Sequence, residues 1–335
     1  MEIVSCGTLG GVREHLIRSA DGTKILAWDT ENAGPDVLLC PGLGTMPEAW
    51  PCLATAEPGV RVRSWYHRGT LGSARPEDET RITLDDHLDD ALAVLAEADL
   101  GPVVVMGWSA GVTVACELAS RYPDLVSGLL LVAGTPGEVF GGLIGLRDLP
   151  APVRATLTTA LASLTGGLAG SAGPLLNALL RRVPVNTLTA TMIRHSGLML
   201  PSSATADVVR AGRRFLGQDW GWYTRLAMAL VAEPNRPVTG IHCPVTLLTG
   251  RYDLVSGPRT AMSRLAGLPQ TRVRMLPASH FLPLEAPQAV AGELRLLIDR
   301  ADAVRGARYW RVPAGHGVPE ATHHTLTPAH LPSTM

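Results

Sequence analysis

The sequence has 335 residues, 46% of them hydrophobic and 18% charged, which is enough to bury a large core. The formal net charge at pH 7 is -1 and the basic residues form no stripe, which argues against nucleic acid as a partner. No segment reaches the roughly 18 uninterrupted apolar residues of a membrane span.

Short apolar runs alternate with helical stretches along most of the chain, which predicts a mostly parallel central sheet with helices on both faces. Residues 14–18 and 24–28 flank a turn signal at Asp21-Gly22 and predict an opening hairpin. Further strands are predicted at 37–40, 60–66, 103–106, 129–132, 245–248 and 273–276, and helices at 83–98, 111–120 and 287–303.

The predicted strands 129–132 and 245–248 are separated by more than a hundred residues. Residues 136–239 are helical in pattern and unusually apolar, which predicts a helical cap over the carboxyl edge of the sheet, between core segments 1–135 and 240–304. Residues 305–335 are rich in Pro, His and Thr without periodicity, and we expect a flexible tail there. The four histidines of that segment fit a mobile tail better than a metal site.

Residues 107–111 read GWSAG, a G-x-S-x-G pattern between a predicted apolar strand and a predicted helix. The pattern alone arises readily by chance, but its position predicts a sharp strand-to-helix turn. Such a turn raises the hydroxyl of Ser109 above the sheet and places it at the start of a helix, whose dipole favours developing negative charge. We therefore expect Ser109 to be a nucleophile.

A serine hydroxyl needs a base to remove its proton, and the base needs a carboxylate to orient it. His280 lies on a loop after the last predicted strand, and Asp253 follows the strand at 245–248, so both are expected at the same sheet edge as Ser109. Glu138, just after the strand at 129–132, is the alternative acid. The backbone N–H groups of Leu43 and Ala110 are the expected donors to an oxyanion.

With these motifs in view, the sequence resembles the α/β-hydrolase superfamily over residues 13–135 and 240–300. The matching stretches are 19–24, 41–44 with Trp50, 65–69, the turn at 107–111, 121–123, 250–253 and His280 ahead of 283–285. Two positions depart from the family. Pro41 stands where the family usually has His, so a side chain that braces the oxyanion loop is missing, and Tyr66 stands where Asp is usual.

The resemblance implies a capped serine hydrolase of the esterase or lipase branch, which cleaves an ester or related acyl bond and needs no cofactor or metal. An acyltransferase with the same residues, or a binding protein that kept the fold, are the alternatives; carbon–carbon bond hydrolysis and perhydrolysis use the same groups. Ser109 in the place of Asp argues against the dehalogenase and epoxide hydrolase branches.

The apolar cap favours a small lipophilic substrate, although these residues would equally serve to pack the cap on the core. Trp108, Trp220 and Trp222 are the candidate pocket residues. Five scattered cysteines without a CxxC pair, and no secretory signal pattern at the N-terminus, predict a cytoplasmic protein.

Overall fold

A computed structural model describes residues 11–54, 59–137 and 177–309. Eight strands form one sheet in the order β1-β2-β4-β3-β5-β6-β7-β8. Their bounds are β1 Val12–Arg18, β2 Lys24–Thr30, β3 Asp36–Cys40, β4 Arg61–Trp65, β5 Val103–Trp108, β6 Val126–Val132, β7 Val245–Gly250 and β8 Thr271–Leu276. The predicted α/β class with a mostly parallel sheet is confirmed.

The first two strands form the predicted hairpin, paired antiparallel from Val12 opposite Thr30 to Arg18 opposite Lys24. In the turn, the Asp21 carboxylate accepts from the Thr23 N–H at 3.0 Å. Strand β2 also runs antiparallel to β4, whereas every pair from β4 to β8 is parallel. The carboxyl ends of these six strands therefore meet at one edge of the sheet, where ligands bind in open α/β sheets.

The core has two layers, one on each face of the sheet, and the central strand β5 contributes to both. Val103 and Val105 pack on one face, and Val104 and Met106 pack on the other, as the two-residue period of a strand requires. All six residues of β5 are buried, which explains why its sequence lacks polar side chains.

The described helices are α1 Leu84–Glu97, α2 Gly111–Arg121, α3 Thr187–Arg194, α4 Thr205–Leu216, α5 Trp220–Ala232, α6 Pro258–Arg264, α7 Leu282–Glu285 and α8 Pro287–Tyr309. Helices α1 and α2 cover the first core layer and α8 covers the second. Helix α1 begins with a capping box, in which Thr83 and Asp86 each bond the other's backbone N–H.

Helices α3, α4 and α5, here called the insertion helices, lie in the chain between β6 and β7 and pack against loops of the core. The indole N–H of Trp222 in α5 donates to the carbonyl of Arg68, and Arg214 in α4 bonds Glu48. Residues 138–176, which belong to the predicted cap, lie outside the described residues. None of the described helices is long and apolar enough to span a membrane.

The closing helix α8 is longer than predicted. It continues to Tyr309, so residues 305–309, which the sequence pattern assigned to the tail, are helical. The period of the apolar residues fades at the end of this helix, which is why the sequence pattern placed its end too early. Residues 310–335, with the four histidines, lie outside the described part of the chain.

Candidate active site

Ser109 sits in a strained turn between β5 and α2. Its φ is 53°, in the left-handed region that non-glycine residues rarely adopt. A Cβ at position 111 would lie 2.1 Å from the carbonyl oxygen of Cys40, so only glycine lets the helix approach β3 this closely. The backbone N–H of Ser109 donates to the Val132 carbonyl at 3.0 Å, which fixes the turn to the neighbouring strand.

The three residues predicted for acyl chemistry form a continuous hydrogen-bonded series. The Ser109 Oγ lies 2.9 Å from the Nε2 of His280. The Nδ1 of His280 lies 3.1 and 3.2 Å from the two carboxylate oxygens of Asp253. With its proton on Nδ1, the imidazole donates to Asp253 and presents a free lone pair at Nε2 to the serine hydroxyl.

The Asp253 carboxylate is buried and held by its own loop. Its Oδ1 accepts from the backbone N–H groups of Val255 and Ser256 at 2.8 and 3.0 Å, and its Oδ2 accepts from the Ser256 hydroxyl. Burial alone raises the pKa of Asp253, but the hydrogen bond and charge of His280 and the Ser256 bonds outweigh it and hold that pKa below its usual range. Asp253 is therefore ionised at neutral pH, and its negative charge lies beside the His280 imidazole.

The loop that carries His280 is fixed at two points. The buried Glu285 carboxylate accepts from the backbone N–H of Ser279 at 2.7 Å and from its hydroxyl at 2.6 Å. The indole N–H of Trp108 donates to the carbonyl of His280 at 3.2 Å, and the two rings stack with centroids 5.9 Å apart. These contacts fix the backbone of the loop and one face of the imidazole.

The backbone N–H groups of Leu43 and Ala110 are the predicted oxyanion donors. Neither of them donates to an acceptor within the described part of the chain. Ala110 immediately precedes α2, so its N–H points out of the first turn of that helix. Leu43 lies in the loop after β3, in which the N–H of Thr45 closes a turn on the Gly42 carbonyl at 2.9 Å.

Comparison with known proteins decides the family. Residues 35–287 match the family described as alpha/beta hydrolase fold. The chain belongs to this family. A pimeloyl-[acyl-carrier protein] methyl ester esterase of Aromatoleum aromaticum is 35% identical over 103 residues, which are 30% of this chain and only 38% of that enzyme. The enzyme of the same name from Neisseria meningitidis is 28% identical over 214 residues, 64% of this chain and 69% of the enzyme.

Solved structures share the α/β-hydrolase fold over most of the chain. A thermophilic esterase from Thermogutta terrifontis superposes with a TM-score of 0.64 at 21% identity, with 86% of this chain and 99% of that chain covered. At this identity the likeness is one of fold. The family assignment confirms the resemblance that the sequence motifs indicated.

The three tryptophans predicted for a pocket have different surroundings in this α/β-hydrolase. Trp108 is buried between His280 and Trp50. Trp220 is half-buried and forms an aromatic trio with Phe215 and Tyr223, with ring centroids 5.0 to 5.6 Å apart. The Phe215 ring lies directly over the loop that carries Leu43, since a Cβ at position 44 would come within 2.6 Å of it.

Trp222, the third of these tryptophans, is buried in contacts with described residues of the core. The side chain is 2% exposed, its indole N–H is bonded to the Arg68 carbonyl, and the Arg75 and Arg225 guanidinium groups lie over its ring. A wide apolar helix face looks the same in sequence whether it covers a core or lines a cavity. Here Trp222 packs the insertion helices onto the core.

Sequence reasoning missed several residues that support the three site residues. Ser256 lies three positions after Asp253, a spacing at which a hydroxyl often bonds the preceding carboxylate, so the signal was present but local. The roles of Glu285 and of the Trp108 indole depend on contacts between distant segments and had no such signal. The alternative acid Glu138 lies outside the described residues.

Proposed function

We propose that this α/β-hydrolase is a serine esterase that cleaves a carboxylic ester through an acyl-enzyme on Ser109. The observation that carries the proposal is the 2.9 Å contact between the Ser109 Oγ and the His280 Nε2, with Asp253 on the opposite ring nitrogen. This is the arrangement that converts a weakly nucleophilic hydroxyl into an alkoxide equivalent at neutral pH.

In the proposed reaction, the Nε2 of His280 accepts the hydroxyl proton while the Ser109 Oγ attacks the ester carbonyl carbon. The carbonyl oxygen becomes an oxyanion and accepts hydrogen bonds from the N–H groups of Leu43 and Ala110. The Asp253 carboxylate stabilises the imidazolium, which then gives its proton to the departing alcohol. A water molecule then attacks the acyl-enzyme by the same steps, with His280 accepting its proton and returning it to the Ser109 Oγ. The free acid leaves and Ser109 is restored.

The ester class is supported by the names of the relatives, since both curated relatives described above are methyl ester esterases. A lipophilic substrate is supported by the trio Phe215, Trp220 and Tyr223, of which Phe215 packs against the proposed oxyanion loop. Burial raises the pKa of Tyr223 to about 12, so the trio carries no charge at the pH of the reaction. Part of the acyl or alcohol group would lie against this aromatic surface.

We also propose that the insertion helices form the cap of this enzyme. Trp222 and Arg214 tie α5 and α4 to loops of the core, and the backbone N–H of Leu84 donates to Glu233 at 2.9 Å. These contacts hold Phe215 above the oxyanion loop. The cap would exclude water from the acyl-enzyme and orient the substrate.

Labelling with a fluorophosphonate probe tests the nucleophile. The wild-type protein should be labelled at one residue, and Ser109→Ala should lose both labelling and hydrolysis of p-nitrophenyl esters. Ser127→Ala is a matched control, because Ser127 lies near the amino end of β6, at the sheet edge opposite the site, and its hydroxyl has no partner among the described residues. Equal labelling of Ser109→Ala and wild type would contradict the proposal.

The chain-length dependence tests the lipophilic pocket. Catalytic efficiency on p-nitrophenyl esters should rise from acetate to octanoate, because each buried methylene contributes about 0.8 kcal/mol. Trp220→Ala should reduce efficiency on octanoate more than on acetate. Trp220→Phe should keep most of the gain in efficiency from acetate to octanoate. A flat profile would refute the aromatic pocket and leave the serine mechanism untouched.

A further inference from the structure

We propose that His67 is a positioning residue that holds the oxyanion loop in place, a role that rests on the proposed esterase mechanism. The side chain that would brace this loop from position 41 is absent, because that residue is Pro41. In the structure the bracing contact comes from the neighbouring strand instead. The Nε2 of His67, two residues after the end of β4, lies 3.2 Å from the carbonyl oxygen of Pro41.

The chemistry of this contact determines the state of the ring. A carbonyl oxygen only accepts, so the Nε2 of His67 must carry a proton and donate it. The ring is 2% exposed, and burial lowers the pKa of His67 to about 4 despite hydrogen bonds to the backbone of Pro41 and Gly42. The neutral ring then has a bare Nδ1, and the Nδ1 of His87 on α1 lies 3.4 Å away as the donor to it.

The oxyanion loop has little freedom to absorb a displacement at Pro41. A Cβ at Gly42 would lie 2.9 Å from the carbonyl oxygen of Trp108 and 3.2 Å from the Cβ of Ser109, so the loop backbone touches the nucleophile turn. Leu43, the next residue, carries the proposed oxyanion donor. A shift of a few tenths of an ångström at the Pro41 carbonyl therefore changes the distance from that N–H to the oxyanion.

His67 is itself rigidly mounted. Its backbone carbonyl accepts from both the N–H and the hydroxyl of Thr70, at 2.9 and 2.7 Å. The next residue, Arg68, is fully buried and bonds the carboxylates of Asp90 and Asp21 at 2.8 and 2.6 Å. Because the backbone of His67 is held at its own carbonyl and at the next residue, its ring fixes the Pro41 carbonyl instead of following it.

The substitutions His67→Gln and His67→Asn test the proposal. Both introduce the same amide group, but the Gln side chain is longer by one methylene. The amide nitrogen of Gln can occupy the position of the imidazole Nε2, whereas the shorter Asn reaches only the Nδ1 position. We expect His67→Asn to lower kcat on a p-nitrophenyl ester by about 10- to 100-fold with KM changed by less than about twofold, part of the 10²- to 10³-fold loss of one oxyanion donor. His67→Gln should remain within about threefold of wild type.

All values are taken per active site titrated with the fluorophosphonate, so that a loss of folded protein does not count as a loss of kcat. Affinity for a trifluoromethyl ketone, which forms the tetrahedral adduct, should weaken in His67→Asn by the same factor as kcat/KM. Equal kcat per active site in the Asn and Gln variants would overturn the role of His67. If Ser109→Ala is active, the esterase mechanism itself has failed, which is a separate outcome.

A measurement on the wild-type protein covers the case in which neither variant folds. Long-range ¹H–¹⁵N NMR correlation distinguishes the two tautomers of a histidine ring. His67 should carry its proton on Nε2 at pH 7. A proton on Nδ1 would leave no donor for the Pro41 carbonyl and would overturn the proposal.

Discussion

The indole N–H of Trp108 donates to the backbone carbonyl of His280 at 3.2 Å, so the residue before the proposed nucleophile holds the loop of the proposed base. The bond links the end of β5 to a loop 172 positions away in the chain. It links the segments that carry Ser109 and His280, independently of the contact between their side chains.

Trp108→Phe should therefore lower kcat without a comparable change in KM. Phenylalanine keeps a ring beside His280 and leaves the buried carbonyl without its donor, at a cost of about 1–3 kcal/mol in the free energy of unfolding. Trp222→Phe is a matched comparison, since it also loses an indole bond to a carbonyl, that of Arg68. The coupling is supported if both variants lose similar stability and only Trp108→Phe has a lower kcat. The same kcat in Trp108→Phe and Trp222→Phe would contradict it.

Substitutions at Asp253 and Ser256 should produce a graded loss. Asp253→Asn should reduce kcat by roughly 10³- to 10⁴-fold, because an amide cannot stabilise the imidazolium and favours the wrong tautomer. Ser256→Ala removes only one donor to the carboxylate and should cost about tenfold or less. Steady-state kinetics between pH 6 and 9 measures both. A larger effect at Ser256 than at Asp253 would show that the acid has been misassigned.

Arg214 should be needed to hold helix α4 on the core. Its guanidinium bonds Glu14 at 2.8 Å, Glu48 at 3.0 Å and the hydroxyl of Tyr66 at 2.7 Å, and it stacks over the Tyr66 ring. Arg214→Gln should lower the free energy of unfolding by roughly 2 kcal/mol, since it leaves partly buried acceptors unpaired. It should also reduce activity on octanoate more than on acetate, because Phe215 is the next residue.

Arg210→Gln is the control for Arg214→Gln. Arg210 lies on the same helix, so the same substitution changes the helix propensity equally. Its only described ion pair is with Asp207 on that helix, so Arg210→Gln removes no described ion pair to the core. Chemical denaturation and the two-ester comparison distinguish the variants. If both variants behave alike, contacts between α4 and the core do not control substrate preference.

The buried pair His67 and His87 should make the protein less stable in mild acid. Burial lowers the pKa of His67 to about 4 and that of His87 well below its usual value, with the charge of Arg68 acting in the same direction on His87. Between pH 6.5 and 4 the unfolded chain binds protons at these rings that the folded chain does not. The free energy of unfolding therefore decreases as the pH is lowered, by about 1.4 kcal/mol per pH unit for each ring.

Urea denaturation at intervals from pH 7.5 to 5 measures this slope. The charged groups that face the pair are the Arg68 guanidinium and the Asp90 carboxylate, whose Oδ2 lies 4.0 Å from the Nδ1 of His87. Both residues are kept in every variant that is compared. His67→Gln should reduce the slope by about one proton, and His195→Gln, at an exposed position immediately after α3, should not. An unchanged slope in His67→Gln would contradict a neutral buried ring.

The positions of most strands along the chain and of the turn at Ser109 were predictable because both depend on local patterns. The wholly apolar run of β5 marks a central strand, and the glycines on either side of Ser109 mark a close approach of helix and strand. His280 and Asp253 followed from the rule that parallel strands end at one edge. The structure brings all three within hydrogen-bonding distance.

The parts that escaped prediction depend on pairs of residues far apart in the chain. No period or spacing connects Trp108 with His280, or His67 with Pro41, because each contact arises only when two loops meet. Burial of Trp222 could not be distinguished from exposure to a pocket, since both remove apolar surface from water. Tyr66, which stands where Asp is usual, accepts a hydrogen bond from Arg214, another contact between distant segments.

The Glu285 carboxylate is shared between the loop of His280 and the segment that precedes α4. Its Oε1 accepts from the hydroxyl of Ser279 and also from the backbone N–H of Leu200 at 2.8 Å. The insertion is consequently not an interchangeable module. A chimera that receives the insertion of another α/β-hydrolase would need a backbone donor at the place of residue 200. Without that donor the exchange would displace the loop of His280 although the sequence of the loop is unchanged.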